Sequence, residues 1–308
     1  MKRYLSESVG AFFLVFVGAG SVVADVYLAQ LRITDSFGPL GIALAHGLAL
    51  AIALSITAGH SRGFVNPVVT IALFVARRLK FKEMLAYVAS QLLGAVAAAF
   101  LVRAIMPNEA FRFVAGGVPG LGPGVSPLQG TAIEVVLTFF LTYTIWAMAV
   151  NQRVPKAVTP LAVGAVTTFS MLVGATFTGG AMNPARWLGP ALAAGQFGNW
   201  AVWIAGPLVG ALLGSLLYET FFLEPAPALE ATADPKALEP APEVPLSERR
   251  SSEPEMESPS ELPALALSAA SRKEAPWPPL PPVPKAHPQG VPGERPPVSS
   301  RPPRPPSL

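Results

Sequence analysis

Thr178-Gly179-Gly180-Ala181-Met182-Asn183-Pro184-Ala185-Arg186 follows one long apolar stretch and opens a shorter one. Its core, Asn-Pro-small, occurs a second time as Asn66-Pro67-Val68, within Gly59-His60-Ser61-Arg62-Gly63-Phe64-Val65-Asn66-Pro67-Val68-Val69-Thr70. Asn is a preferred N-cap and Pro a preferred first helical residue, so each tripeptide starts a helix well. A helix that starts inside an apolar layer leaves four orphan N–H groups and a positive dipole end facing something polar. The simplest such thing is a narrow file of water.

The composition agrees with an apolar surrounding. Of 308 residues 51% are hydrophobic and 13% charged, with mean hydropathy +0.46, the balance of a polytopic membrane protein. Residues 1–221 hold 7 of the 19 acidic residues, whereas residues 222–308 hold 12 of them and 23 of the 34 prolines. The first part is therefore net +6 (13 basic minus 7 acidic) and the second net −3 (9 minus 12). The basic excess marks cytoplasmic loops and not a nucleic-acid partner. With no Cys, disulfides and thiolate chemistry are excluded, and three His make a metal centre an unfavoured reading. No nucleophile–base pair stands out, so neither an enzyme nor a cofactor is expected. Met1-Lys2-Arg3 leads into a span without a small-residue cleavage site, which reads as a first transmembrane helix and not a removed signal.

Six stretches, near 5–29, 39–59, 82–105, 128–149, 157–176 and 198–221, are long enough to cross a hydrocarbon core of about 30 Å. The segments after the Asn-Pro pairs, about 67–77 and 184–194, reach only about half that depth. The halves are alike: Glu7 precedes Gly10 and Phe12-Phe13-Leu14-Val15-Phe16, and Glu134 precedes Thr138-Phe139-Phe140-Leu141. Three spans and a half-span per copy insert the second copy upside down. The expected fold is all-α, six transmembrane helices plus two re-entrant half-helices in an inverted repeat. The expected boundaries are a membrane domain over 1–221, with repeats at about 1–105 and 128–221, and a Pro-rich disordered cytoplasmic tail over 222–308. Lys2, Arg3, Arg62, Arg77, Arg78, Lys80, Lys82, Arg153 and Lys156 gather on one side, against mainly Arg32, Arg103 and Arg112 on the other. The positive-inside rule then places both termini in the cytoplasm.

Glu7 and Glu134 are costly in apolar helices unless partnered. Each can accept backbone N–H groups from a re-entrant loop; Glu7, near the N-terminus, could instead reach the headgroups. Gln91, ahead of Gly94, fits either loop support or helix packing. Asn66 and Asn183 can each aim an amide N–H at one water, so that its hydrogens point away along the file and relay no proton. Two positive helix ends there repel hydronium and other cations.

These two loops resemble the signature loops of the aquaporin (major intrinsic protein) family. Glu7, Glu134, Tyr87 to Gln91 and Gly94, and Gly206-Pro207 match other recurrent positions of that family, over residues 4–221. The resemblance implies one pore per subunit, a homotetramer, and a multi-pass protein of the cell membrane. It implies pore motifs at Asn66, Pro67, Val68 and at Asn183, Pro184, Ala185, with Glu7, Glu134, Gln91 and His60 supporting the loops. Val68 replaces the usual Ala, which is expected to narrow or dry the pore, and Phe64 stands where many water-selective members have His.

Family spacing implies a selectivity filter of His46, Met171, Gly180 and Arg186. Arg186 is a permanent cation with donors for water, and His46 would offer a ring nitrogen to the pore. This set is neither the Phe/His pairing of strict water channels nor the doubly aromatic wall of glycerol facilitators, which also carry Asp where this chain has Trp187. It is similar to vacuolar-type and aquaporin-8-type members associated with ammonia or peroxide besides water. The function implied is a passive channel for water and other small neutral solutes. Ammonia or peroxide passage is a second reading and glycerol a third. Outside that class stand a secondary transporter, for which Glu7 and Glu134 are the only candidate coupling-ion sites, and a closed-pore scaffold. From about Glu224 the chain is too poor in bulky apolar residues for a core. Its Arg301-Pro302-Pro303-Arg304-Pro305-Pro306 suits a polyproline-binding partner or none.

Overall fold

In the computed structural model, residues 1–31, 36–61, 63–151 and 153–223 are described. Arg32, Arg62 and the tail from 224 onward, with its proposed polyproline end, lie outside them. The described residues form nine α-helices and no strand: α1 (Lys2–Leu31), α2 (Gly38–Thr57), α3 (Pro67–Val75), α4 (Phe81–Ile105), α5 (Asn108–Phe113), α6 (Pro127–Ile145), α7 (Thr159–Thr178), α8 (Pro184–Ala194) and α9 (Val202–Phe222). Six of these elements are long and apolar enough to cross a membrane, α6 when counted through Val150. The other two that matter, α3 with 9 residues and α8 with 11, rise only about 14 and 17 Å.

The half-helices start where Asn and Pro dictate. Asn66 (φ −148, ψ 118) and Asn183 (φ −154, ψ 112) are extended, and each side chain accepts the N–H two residues on, Val68 at 3.1 Å and Ala185 at 2.9 Å. Such a cap is worth about 1 kcal/mol. It also satisfies one donor of a helix end that is wholly buried.

The repeat is visible in the packing. α1 lies against α4 and α6 against α9, while α2 crosses α7 between the halves. A Cβ at Gly94 of α4 would collide with the Ser8 carbonyl, and one at Gly210 of α9 with the Val135 carbonyl. Ser8 and Val135 directly follow Glu7 and Glu134, so the same close approach recurs in both halves. Gly47 and Gly164 likewise bring α2 and α7 together, each lying where a Cβ would strike the other's carbonyl. Close backbone approach through small residues substitutes for the hydrophobic drive that lipid does not supply.

Three features depart from the sequence expectation. The last span starts at Val202 and not at 198, because Asn199 sits at φ 51, where a right-handed helix cannot run. The connection after α4 holds the short helix α5, anchored by buried Phe111. The fourth span closes in a π-helical turn, Trp146–Val150, which seats the fully buried Trp146 so that its Nε1–H donates to Glu219 at 2.8 Å.

Candidate channel and its filter

Each half-helix is preceded by a loop tied to one buried carboxylate. Glu7 Oε1 accepts from Ser61 Oγ at 2.7 Å and Phe64 N–H at 2.9 Å, and Oε2 from Val65 N–H at 2.7 Å and Gln91 Nε2 at 2.8 Å. Glu134 repeats the pattern, Oε1 accepting from Thr178 Oγ1 at 2.7 Å and Ala181 N–H at 2.9 Å, and Oε2 from Met182 N–H at 2.8 Å. Both carboxylates are fully buried, so Glu7 does not reach a headgroup. Hydrogen bonds to the ionised form are what make such burial tolerable. These bonds also hold Val65 (φ 49) and Met182 (φ 51) in the left-handed region, a strain of about 1–3 kcal/mol per residue that only a surrounding framework sustains.

Gln91 donates to Glu7 and, at 3.0 Å, to Thr70 Oγ1 on α3. His60 is exposed, and among the described residues its hydrogen bond is that of its backbone N–H to the Thr57 carbonyl at 3.0 Å. The supporting side chain is its neighbour Ser61, whose hydroxyl is short enough to bridge Glu7 and the Gly63 N–H at 3.1 Å. Thr178 does the same with Glu134 and Gly180. Ser61 and Thr178 each stand five residues before their Asn, a spacing the sequence reading passed over.

The two Asn residues interlock. Asn66 Nδ2 donates to the Met182 carbonyl and Asn183 Nδ2 to the Val65 carbonyl, each at 2.9 Å. An amide has two hydrogens, and among the described residues nothing accepts the second one of either Asn. Both Asn residues line a thin internal cavity of about 30 Å³, room for two or three waters. Val68 does not line it. Its side chain is buried in the apolar cluster with Val65 and Met182.

His46, Met171, Gly180 and Arg186 meet at the cavity wall. Arg186, 3% exposed, donates from Nε to His46 Nε2 at 3.0 Å and from one terminal nitrogen to the Gly117 carbonyl at 2.9 Å. His46 Nδ1 lies 2.8 Å from the Ile42 carbonyl, so these partners assign the proton to Nδ1 and leave Nε2 to accept. The ring nitrogen expected to face the pore is therefore occupied by Arg186. Gly18 leaves room for the ring, since a Cβ there would lie 2.7 Å from it. Met171 fills the space beside Gly180: its sulfur is 2.8 Å from where a Cβ at 180 would stand. Trp187 stacks on Trp203 with centroids 6.0 Å apart and does not line the cavity. The Gly117 carbonyl had no sequence signal, being a backbone acceptor in a turn with Ala115, Gly116 and Gly117 all at positive φ.

Two inward half-helices whose caps meet inside a six-span bundle define a multi-pass membrane channel of the inverted-repeat type, not an enzyme. The sequence model of the Major intrinsic protein family matches residues 1–218, and the chain belongs to that family. It is 37% identical over 227 residues to "Aquaporin TIP2-3" of Zea mays, covering 72% of this chain and 88% of the relative. Identity to "Aquaporin TIP2-1" of Arabidopsis thaliana is also 37%, over 230 residues with the same coverage. Among solved structures it is similar to the aquaglyceroporin from Plasmodium falciparum, with TM-score 0.62 and 22% identity, covering 71% of this chain and 96% of that one. That likeness speaks for the fold. The protein is a passive channel for water and small solutes.

Proposed function

We propose that water is the principal cargo, passing one file of molecules between the Asn66 and Asn183 amides and then a filter of His46, Met171, Gly180 and Arg186. The observation that carries this reading is the interlock: each amide spends one hydrogen on the opposite loop and keeps one on the cavity side of a site about 30 Å³ in size. A water accepting both remaining hydrogens has its own hydrogens turned outward, which breaks a proton wire. The half-helix N-termini add a positive field against cations. Arg186 adds a full charge, held in place by His46 and Gly117 and left with further N–H groups for passing oxygen atoms.

A second cargo, a small neutral molecule such as ammonia or hydrogen peroxide, is supported by Gly180, which contributes no side chain, and by the flexible Met171 beside it. The chain acts as a homotetramer in the cell membrane, with residues 1–221 as the channel and both termini cytoplasmic. The family pattern and the gathering of Lys2, Arg3, Arg77, Arg78, Lys80, Lys82, Arg153 and Lys156 on one side support these assignments. Residues 222–308 form a cytoplasmic tail whose proline-rich end suits a polyproline-binding domain.

Stopped-flow shrinkage of proteoliposomes under sucrose, glycerol and ammonium gradients tests the cargo. Water flux with low activation energy is expected; no flux above bare lipid overturns the reading. Arg186→Val is expected to leak cations or larger solutes, and an unchanged permeability profile would remove Arg186 from the filter.

A further inference from the structure

On the side of the loop before α3, the thin cavity leads toward a wider one of about 310 Å³, bordered by Ser61, Arg78, Lys156 and Thr159. Leu54, Phe64 and Ile145 line both. They come from three separate elements, α2, the loop before Asn66, and the last residue of α6. All three are nearly buried, at 8%, 8% and 9% exposure, and none has a side-chain hydrogen-bonding group. The matched position in the other loop, two residues before Asn183, is Ala181, so the opposite half of the pore has no comparable side chain there.

The Phe64 ring is also held in place. Its N–H is fixed on Glu7, and Tyr87 packs against it edge-on with centroids 5.3 Å apart. Tyr4 packs on Tyr87 in turn at 5.0 Å, and the Arg3 guanidinium, paired with Glu83 at 2.8 Å, lies over both rings. A ring backed by two further aromatic layers does not swing aside at low cost.

We propose that Phe64, with Leu54 and Ile145, forms a second constriction, an apolar collar between the water file and the cytoplasmic vestibule, that selects against polyhydroxylated solutes such as glycerol. The proposal rests on the channel reading above. A passing molecule loses hydrogen bonds at the collar without replacement from these side chains, and the loss grows with the number of polar groups it carries. Glycerol, with three hydroxyls, meets a higher barrier than water. The collar therefore acts by desolvation at one end, as Arg186 acts by charge and donors at the other.

Purified full-length protein in liposomes tests it, comparing wild type, Phe64→Ala and Phe64→His for water and glycerol. Phe64→Ala is expected to raise the glycerol-to-water ratio at least about threefold, while Phe64→His, which keeps a ring but adds polar atoms, raises water flux about twofold and leaves glycerol low. Ile145→Ala on α6 reads the same ratio should Phe64→Ala fail to fold. If wild type conducts water and none of the variants changes the ratio, the collar is overturned while the channel stands. If wild type is silent and Phe64→Ala conducts, the collar is confirmed as the barrier. If none conducts, both readings fall.

Discussion

The Asn183 amide nitrogen lies 2.9 Å from the Val65 carbonyl oxygen, across 118 residues of chain. Val65 sits at φ 49, which a β-branched residue avoids, and that conformation presents its carbonyl to the other loop. The bond therefore joins a strained residue of one repeat to the helix cap of the other.

Replacing Asn183 by Ala removes the α8 cap and leaves the buried Val65 carbonyl without its donor. The summed cost is about 2–4 kcal/mol, from a lost cap of about 1 and an unsatisfied buried acceptor of 1–3. A lower thermal midpoint in detergent, with loss of water flux in liposomes, is the expected result.

Glu7→Gln and Glu134→Gln are expected to differ. An amide puts one NH2 where a carboxylate oxygen accepted, in a cluster that directs four donors at Glu7 and three at Glu134. Each donor that then faces a donor costs about 1–3 kcal/mol. Glu7→Gln should lower the thermal midpoint more, since its carboxylate accepts one donor more than that of Glu134.

Ser61→Ala and His60→Ala separate the supporting hydroxyl from its exposed neighbour. Ser61→Ala removes the bonds to Glu7 and to the Gly63 N–H and is expected to cost about 1–2 kcal/mol, whereas His60→Ala stays within about 0.5. Parallel melting curves decide this.

Arg186→Lys is not expected to restore the filter. A single ammonium lacks the planar fork that reaches His46 from Nε and Gly117 from the terminal nitrogen together. Because Arg186→Lys keeps the positive charge, its liposomes should leak fewer cations than those of Arg186→Val while admitting larger solutes to a similar extent. With no Cys in the chain, mercuric chloride should leave water flux unchanged in wild type.

Much of this was legible in the sequence, and the residues show why. Asn-Pro states a helix start in two letters, so α3 and α8 begin where expected. Lipid-length apolar runs place the six spans to within a few residues. The carboxylates Glu7 and Glu134 stood out because nothing cheap explains a buried charge. What escaped were arrangements that depend on a partner far along the chain. Whether His46 gives its Nε2 to solvent or to Arg186 is decided 140 residues away. The Gly117 and Val65 carbonyls act through backbone alone, which no residue type announces. Helix α5 is six residues long, below what periodicity resolves. Ser61 was overlooked beside a more conspicuous His60, although the equal spacing of Ser61 and Thr178 from the two Asn residues was available.

The reciprocal bonds between Asn66 and Met182 and between Asn183 and Val65 also bear on how the chain is made. A ribosome delivers residues 65 and 66 to the membrane more than a hundred residues before 182 and 183 exist. Until then the first half-helix is a short segment whose strained Val65 carbonyl lacks its donor and whose Asn66 amide lacks its acceptor. Its seat in the bilayer cannot be final before the second repeat arrives. A chain halted at residue 151 should therefore leave residues 59–66 open to protease or chemical labelling, and release of the full chain should close them.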